Sequence, residues 1–194
     1  ESSAASDVYK RQVPNYSNPS GISQSTERRR EILAVADELD LLVVEDNPYG
    51  LLNLDGDPLP TLKSMDPDNV VYLGSFSKTF APGFRIGWVL SPSFVRDKLV
   101  LAQESATLCP PVFSQFAVSS YLAHWDWRAQ VDSFINMYRI RRDTMLASLA
   151  ETMPEGTTWS HPSGGFFVWL TMPGAIDSAA MLPRAVTTVS YTHL

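Results

Sequence analysis

Three short apolar runs constrain this chain more than any other feature: Leu41–Val44, Val70–Leu73 and Ile86–Leu90. Runs of this length, bounded by turn-forming residues, read as strands buried on both faces of a sheet. The stretch from Ser25 to Leu39 leads directly into the first run. It reads as an amphipathic helix with a Ser/Thr cap, Glu27 in its first turn, and Ile32, Ala36 and Leu39 on one face. A Gly/Pro/Asp-rich loop over 53–60 leads through Leu62 to the second run. Helix, strand, connection, strand is the α/β arrangement, with a mostly parallel sheet and flanking helices. The link between Ser75 and Arg85 is too short for a helical crossover, so the third run is expected to pair antiparallel with the second.

Beyond Ser91-Pro92 the pattern turns helical. Phe94–Ala106, Val112–Leu122 and about 126–151 fit helices, the last with Tyr138, Met145 and Leu149 on one stripe. A turn at Pro154-Glu155-Gly156, short strands near Thr158 and Phe167–Leu170, and a helix from Ser178 read as the start of a smaller α+β domain. The expected organisation is therefore part of a large domain over 13–125, then a long linking helix and partial C-terminal domain over 126–188. Residues 1–12 carry no core periodicity, and 189–194 interrupt the helical pattern begun at Met181–Val186. Both resemble translated adaptor sequence and read as non-native or disordered tails, which would make the chain an internal fragment of a longer protein.

At 194 residues with 44% apolar side chains the chain can bury a core, and its net charge of −6 offers no basic face to nucleic acid or an anionic membrane. The run Arg28-Arg29-Arg30, flanked by Glu27 and Glu31, reads as a solvated helix face. The single cysteine, Cys109, precedes Pro110-Pro111 and reads as a small half-buried side chain rather than a nucleophile. With no apolar run near 18 residues and no leader pattern, the expected location is cytoplasmic. The three histidines show no metal-ligand spacing, and no metal is expected.

In open parallel sheets ligands sit beyond the carboxyl ends of the strands. Three polar clusters fall there: Asn15–Gly21, Glu45–Tyr49 and Ser75–Lys78. They bring Asn18, Asp46, Tyr49, Ser75, Ser77, Lys78 and Arg85 to one expected crevice. Each has a plainer reading. Asn18 belongs to good turn chemistry, Asp46 can cap, Tyr49 can pack, and Lys78 can reach the surface. Together they supply the parts of a pyridoxal 5′-phosphate site. A desolvated lysine amine forms a Schiff base with the cofactor aldehyde, and a carboxylate keeps the pyridine nitrogen protonated. Tyrosine and asparagine donors hold the ring 3-oxygen, while serine hydroxyls and an arginine fork hold the phosphate.

The motifs N-P-S-G, E-D-N-P-Y and S-F-S-K-T-F-A-P-G-F-R-I-G-W, in this order and spacing, resemble the class I/II aminotransferases of fold type I. The resemblance is nearest to the aminoadipate and kynurenine aminotransferase branch, runs from about Val13 to Ala185 and includes G-G-F-F-V-W-L at Gly164–Leu170. It implies that Lys78 is the Schiff-base lysine and shuttles a proton at the substrate α-carbon. Asp46 would face the pyridine nitrogen. Tyr49 and Asn18 would serve the 3-hydroxyl, Asn18 also lying near the substrate carboxylate. Ser75, Ser77 and Arg85 would form the phosphate cup. The family's ring-stacking aromatic, the tyrosine lent by a neighbouring subunit and the arginine for the α-carboxylate have no counterpart here.

The resemblance implies an amino transfer between an amino acid and a 2-oxo acid, in a full-length homodimer. Two alternatives stand beside it: a lyase of the same fold, and the aminotransferase-like sensor half of a helix-turn-helix transcription regulator. The 194-residue chain alone is expected to be inactive or poorly folded.

Overall fold

Ser25 starts the first helix by accepting a hydrogen bond from Arg28 N at 3.2 Å, which satisfies one of the amide donors a helix start leaves open. That helix is α1 (Thr26–Glu38), the second element of a computed structural model that describes residues 9–174 and 176–187. It is preceded by β1 (Tyr9–Gln12) and followed by β2 (Leu42–Asp46), a short α2 (Leu62–Met65) and β3 (Val70–Ser75). A 3-10 turn at Pro82–Phe84 then leads to β4 (Gly87–Leu90). Three helices follow, α3 (Ser93–Thr107), α4 (Val112–His124) and α5 (Trp127–Thr152), and then β5 (Thr158–Trp159), β6 (Leu170–Thr171) and α6 (Ser178–Thr187).

The main sheet has the order β1-β2-β3-β4. The first three strands are parallel, and β4 returns antiparallel along β3 with Ser75 opposite Gly87. The α/β expectation, the parallel pair and the antiparallel last strand all hold. Val43, Leu62, Val70 and Ala36 form a buried cluster between sheet and helices, with Leu33 and Leu41 packed against it. β5 and β6 form a separate antiparallel pair. A lone bridge between Asn53 and Gly164 joins the loop after β2 to the segment before β6.

Several expectations are corrected. Residues 1–12 were expected to lie outside the fold, yet Tyr9–Gln12 is a sheet strand. Edge-strand pairing uses main-chain groups, so it needs no apolar periodicity to announce it. Residues 1–8 and 188–194, where the rest of the two expected tails falls, lie outside the described residues. Arg29 is not on a solvated face: it is 0% exposed, while Arg28 and Arg30 are exposed. On α1 the apolar face closes on Ala36, and Leu39, at the cap, is 61% exposed. On α5 Leu149 is buried but Met145 is 53% exposed, because a 26-residue helix turns its stripe past the elements it packs on. Cys109 is exposed rather than half-buried, standing in the loop between α3 and α4.

Candidate functional site

The strand period of two organises the site. In the segment after Leu42, alternate residues Val43, Glu45, Asn47 and Tyr49 are all buried, so Asp46 is turned to the other face of the sheet. Asp46 ends β2 and lies opposite Leu73, two residues before Ser75 ends β3. The loop 13–25, which carries Asn18, follows β1 on the far side of β2. All three clusters therefore lie at one edge of the sheet, the carboxyl ends of its parallel strands.

Around that edge, Ser75 Oγ accepts from Ser77 N at 3.1 Å and tightens the turn that follows β3. Lys78 stands in this turn and is exposed, without a hydrogen bond or ion pair among the described residues. The expectation of a desolvated amine is corrected: Thr79 in this turn is buried and Phe80 packs on Tyr121 of α4 at 4.5 Å, while Lys78 itself is exposed. Arg85 caps the 3-10 turn at φ 55°, is exposed, and its Nη1 donates to Pro82 O at 3.3 Å. Asn18 is exposed in a turn whose Asn18–Pro19 peptide is cis. Tyr49 is buried, its ring edge-on to Phe166 and Phe167 at 5.7 and 5.6 Å. The structure thus gathers Asp46, Ser75, Ser77 and Lys78 at adjacent strand ends, and it keeps Arg85 on its own turn.

The carboxylate of Asp46 has a partner that sequence reading did not supply. Arg11, on β1, donates from Nε to Asp46 Oδ2 at 3.1 Å, and its Nη2 donates to the same oxygen. Among the described residues Asp46 Oδ1 accepts nothing.

A second group was also missed: the buried polar scaffold beneath the site. Arg29 donates from Nε to Gln24 O, from Nη1 to Pro60 O, and from Nη2 to Pro14 O and Asn15 Oδ1. Asn15 Nδ2 donates to Asn47 Oδ1 at 3.0 Å, and Asn47 Nδ2 donates to Tyr72 Oη at 3.0 Å. Glu45, also fully buried, accepts from Lys63 N at 2.8 Å. Burial pushes the Glu45 carboxyl and the Tyr72 phenol up, and pushes the Arg29 guanidinium down, the charged form losing its water in each case. The usable sequence signal was the alternation E-x-N-x-Y, which continues the strand into the motif.

Tyr16 closes the far wall. It is buried, donates to Asn53 Oδ1, and burial pushes its phenol up to about 12, so it is a donor at neutral pH. On the Asn47 face of the sheet, a cavity of about 370 Å³ is lined by Asn47, Tyr72, Ser75, Thr79, Trp88 and Trp127. Tyr72 and Trp88 stack there at 5.1 Å.

A mixed sheet with parallel strands, helices on it and these side chains at its carboxyl edge defines a class of α/β enzyme-like domain. Residues 12–189 match the family described as aminotransferase class I and II, and the chain belongs to that family. It is 43% identical over 176 residues to an aromatic-amino-acid aminotransferase of Thermococcus litoralis, covering 90% of this chain and 42% of that protein. It is 33% identical to an uncharacterized HTH-type transcriptional regulator of Bacillus subtilis, covering 90% of this chain and 36% of that protein. Among solved structures, a Pyrococcus horikoshii kynurenine aminotransferase in complex with PMP superposes with a TM-score of 0.87 at 41% identity. That match covers 91% of this chain and 44% of the other. The chain spans less than half the length of each of these proteins.

Proposed function

We propose that this chain carries the cofactor-holding part of a pyridoxal-phosphate-dependent aminotransferase that moves an amino group between an amino acid and a 2-oxo acid. The observation that carries the reading is the placement of Asp46, Ser75 and Lys78 at the ends of neighbouring parallel strands, within the matched family. The donor set suits the group. Lys78 offers an unengaged amine, Asp46 a carboxylate with one oxygen open, and the turn after β3 two serine hydroxyls.

When bound, pyridoxal phosphate supplies an aldehyde that takes up the amino group and a protonated ring that draws electrons from the substrate α-carbon. The chain's own residues divide the remaining work. Lys78 anchors the aldehyde end and moves the proton at the α-carbon. Asp46 holds the ring N–H. Tyr49 and Asn18 serve the ring 3-oxygen, Asn18 also lying by the substrate carboxylate. Ser75, Ser77 and Arg85 hold the phosphate, the guanidinium fork matching its oxygens. In the whole protein this part belongs to a cytoplasmic homodimer. Residues 13–125 serve as part of the large domain, and 126–188 as the linking helix and start of the small one.

The kinship with a helix-turn-helix regulator keeps a second reading in play, in which the same fold senses rather than turns over its ligand. One assay separates the readings. The full-length protein, screened with amino donors against 2-oxoglutarate and starting with aromatic amino acids, is expected to transfer the amino group. Release of ammonia or sulfide instead would favour a lyase, and cofactor binding without turnover would favour the sensor. Visible absorbance on adding pyridoxal phosphate, abolished by Lys78→Ala, is the accompanying check on the site.

A further inference from the structure

We propose that Asn47 is a positioning residue, whose side-chain amide sets the ring-nitrogen carboxylate and the ring-oxygen donors of the site relative to one another; the proposal rests on the cofactor reading above. Asn47 follows Asp46 at the end of β2, is 5% exposed and points to the opposite face of the sheet, so it does not itself meet the ring. Its backbone N–H donates to Leu73 O at 3.0 Å and ties the strand end to β3. Its amide is wedged beneath the turn that carries Tyr49: a Cβ on Gly50 would lie 2.4 Å from Asn47 Nδ2 and 2.5 Å from its Oδ1.

The bonds of that amide run in one direction, and a cation fixes it. Arg29 Nη2 donates to Asn15 Oδ1, which leaves Asn15 Nδ2 to donate to Asn47 Oδ1 and Asn47 Nδ2 to donate to Tyr72 Oη. Burial, with Glu45 across from it, keeps Tyr72 a phenol. Each partner belongs to an element that carries a residue assigned to the cofactor. Asn15 shares the 13–25 loop with Asn18, Tyr72 lies on β3 with Ser75, and Gly50 follows Tyr49. Deleting the amide frees these elements from one another, and the donors to the ring oxygen lose their aim. Such a donor stabilises the negative charge of the oxygen and so weakens its hold on the proton of the neighbouring lysine-bound nitrogen.

The test is a pH titration, on the full-length protein loaded with pyridoxal phosphate, of the visible absorbance that Lys78→Ala removes. Asn47→Leu, which keeps the bulk and loses both bonds, is expected to raise the midpoint by about 0.5 to 1 pH unit, the worth of about one hydrogen bond. Tyr72→Phe, which removes one oxygen, should raise it by less, and it decides alone should Asn47→Leu fail to fold. The double variant should match Asn47→Leu, because both changes act through one relay. A merely structural amide would lower the melting temperature and leave the midpoint in place. A parent midpoint in either single variant, or shifts that add in the double variant, overturns the positioning role while leaving the cofactor reading intact. If the full-length parent shows no Lys78-dependent absorbance, the cofactor reading falls and this proposal with it.

Discussion

Arg29 Nη2 donates to Asn15 Oδ1 at 2.6 Å, and through Asn15 the buried guanidinium is tied to Asn47, next to the Asp46 carboxylate. One side chain on α1 thus fixes both the loop that carries Asn18 and the end of β2. Two of its four bonds, to Pro14 O and Asn15 Oδ1, are buried, and the two to Gln24 O and Pro60 O are part-buried. Arg29→Ala is expected to cost about 3 kcal/mol, because it strands two buried oxygens, Pro14 O and Asn15 Oδ1, and removes two part-buried bonds as well. Arg29→Lys should recover only part, since an ammonium cannot span the same acceptors. Arg28→Ala, on the exposed side, should stay within about 0.5 kcal/mol. Urea unfolding of the three variants checks the order; equal losses at 28 and 29 would refute the scaffold.

The two glycines before Phe166 seat Tyr16. A Cβ on Gly164 would lie 2.4 Å from Tyr16 Cζ and 2.5 Å from Leu52 O, and Gly165 sits at φ +71° with its own Cβ position 2.5 Å from Tyr16 Cβ. A ring clamped by its hydroxyl to Asn53 and a backbone oxygen have little room to yield. Gly164→Ala is expected to lower the melting temperature by several degrees, and Gly83→Ala, which meets nothing within 4 Å, to leave it unchanged. Thermal melts of the pair decide the matter, and matching curves would sink it.

Much of this architecture was legible in the sequence for a physical reason. Leu41–Val44 and Val70–Leu73 are continuous apolar runs, and a strand buried on two faces has no other way to be written. The turn clusters at Asn18, Asp46 and Ser75 were legible because the carboxyl ends of parallel strands are where a chain of this kind can expose polar groups. What stayed hidden depends on partners distant in sequence. Arg29 reads like its neighbours until Pro60 O and Pro14 O close on it. Tyr9–Gln12 joins the sheet by main-chain pairing that no sequence periodicity announces, and the bond from Arg11 to Asp46 that goes with it depends on a strand distant in sequence. Lys78 was read as desolvated from its flanking apolar residues, but burial is a property of what packs over a turn.

Gly74 gives a further check near the site. A Cβ there would stand 2.2 Å from Trp88 Cε2, so the indole lies flat on the β3 backbone and stacks on Tyr72. Gly74→Ala must push the indole away, at about 1–3 kcal/mol by the usual cost of overpacking. The expected readout is a shifted tryptophan emission together with a lower urea midpoint. An unchanged emission and midpoint would show that the ring is not held where the structure places it.

Acid should act through two carboxyls in opposite directions. The hydrogen bond from Arg142 holds Asp55 below its ordinary value of 3.8, with Arg139 adding attraction from 3.8 Å. A depressed carboxyl stabilises fully above its unfolded value and loses that contribution as pH falls through the folded one. Burial instead holds Glu45 above its ordinary value of 4.5, so its contribution is present below 4.5 and is lost as pH rises through the folded value. Melting temperature should therefore first rise as the pH is lowered and Glu45 takes its proton, then drop below about pH 4 as Asp55 takes its own. Asp55→Asn is expected to flatten the drop and leave the rise, and Glu45→Gln to do the reverse. Melts recorded from pH 7 to about pH 2.5 would contradict the assignment if the Asp55→Asn curve ran parallel to the parent through the acid limb.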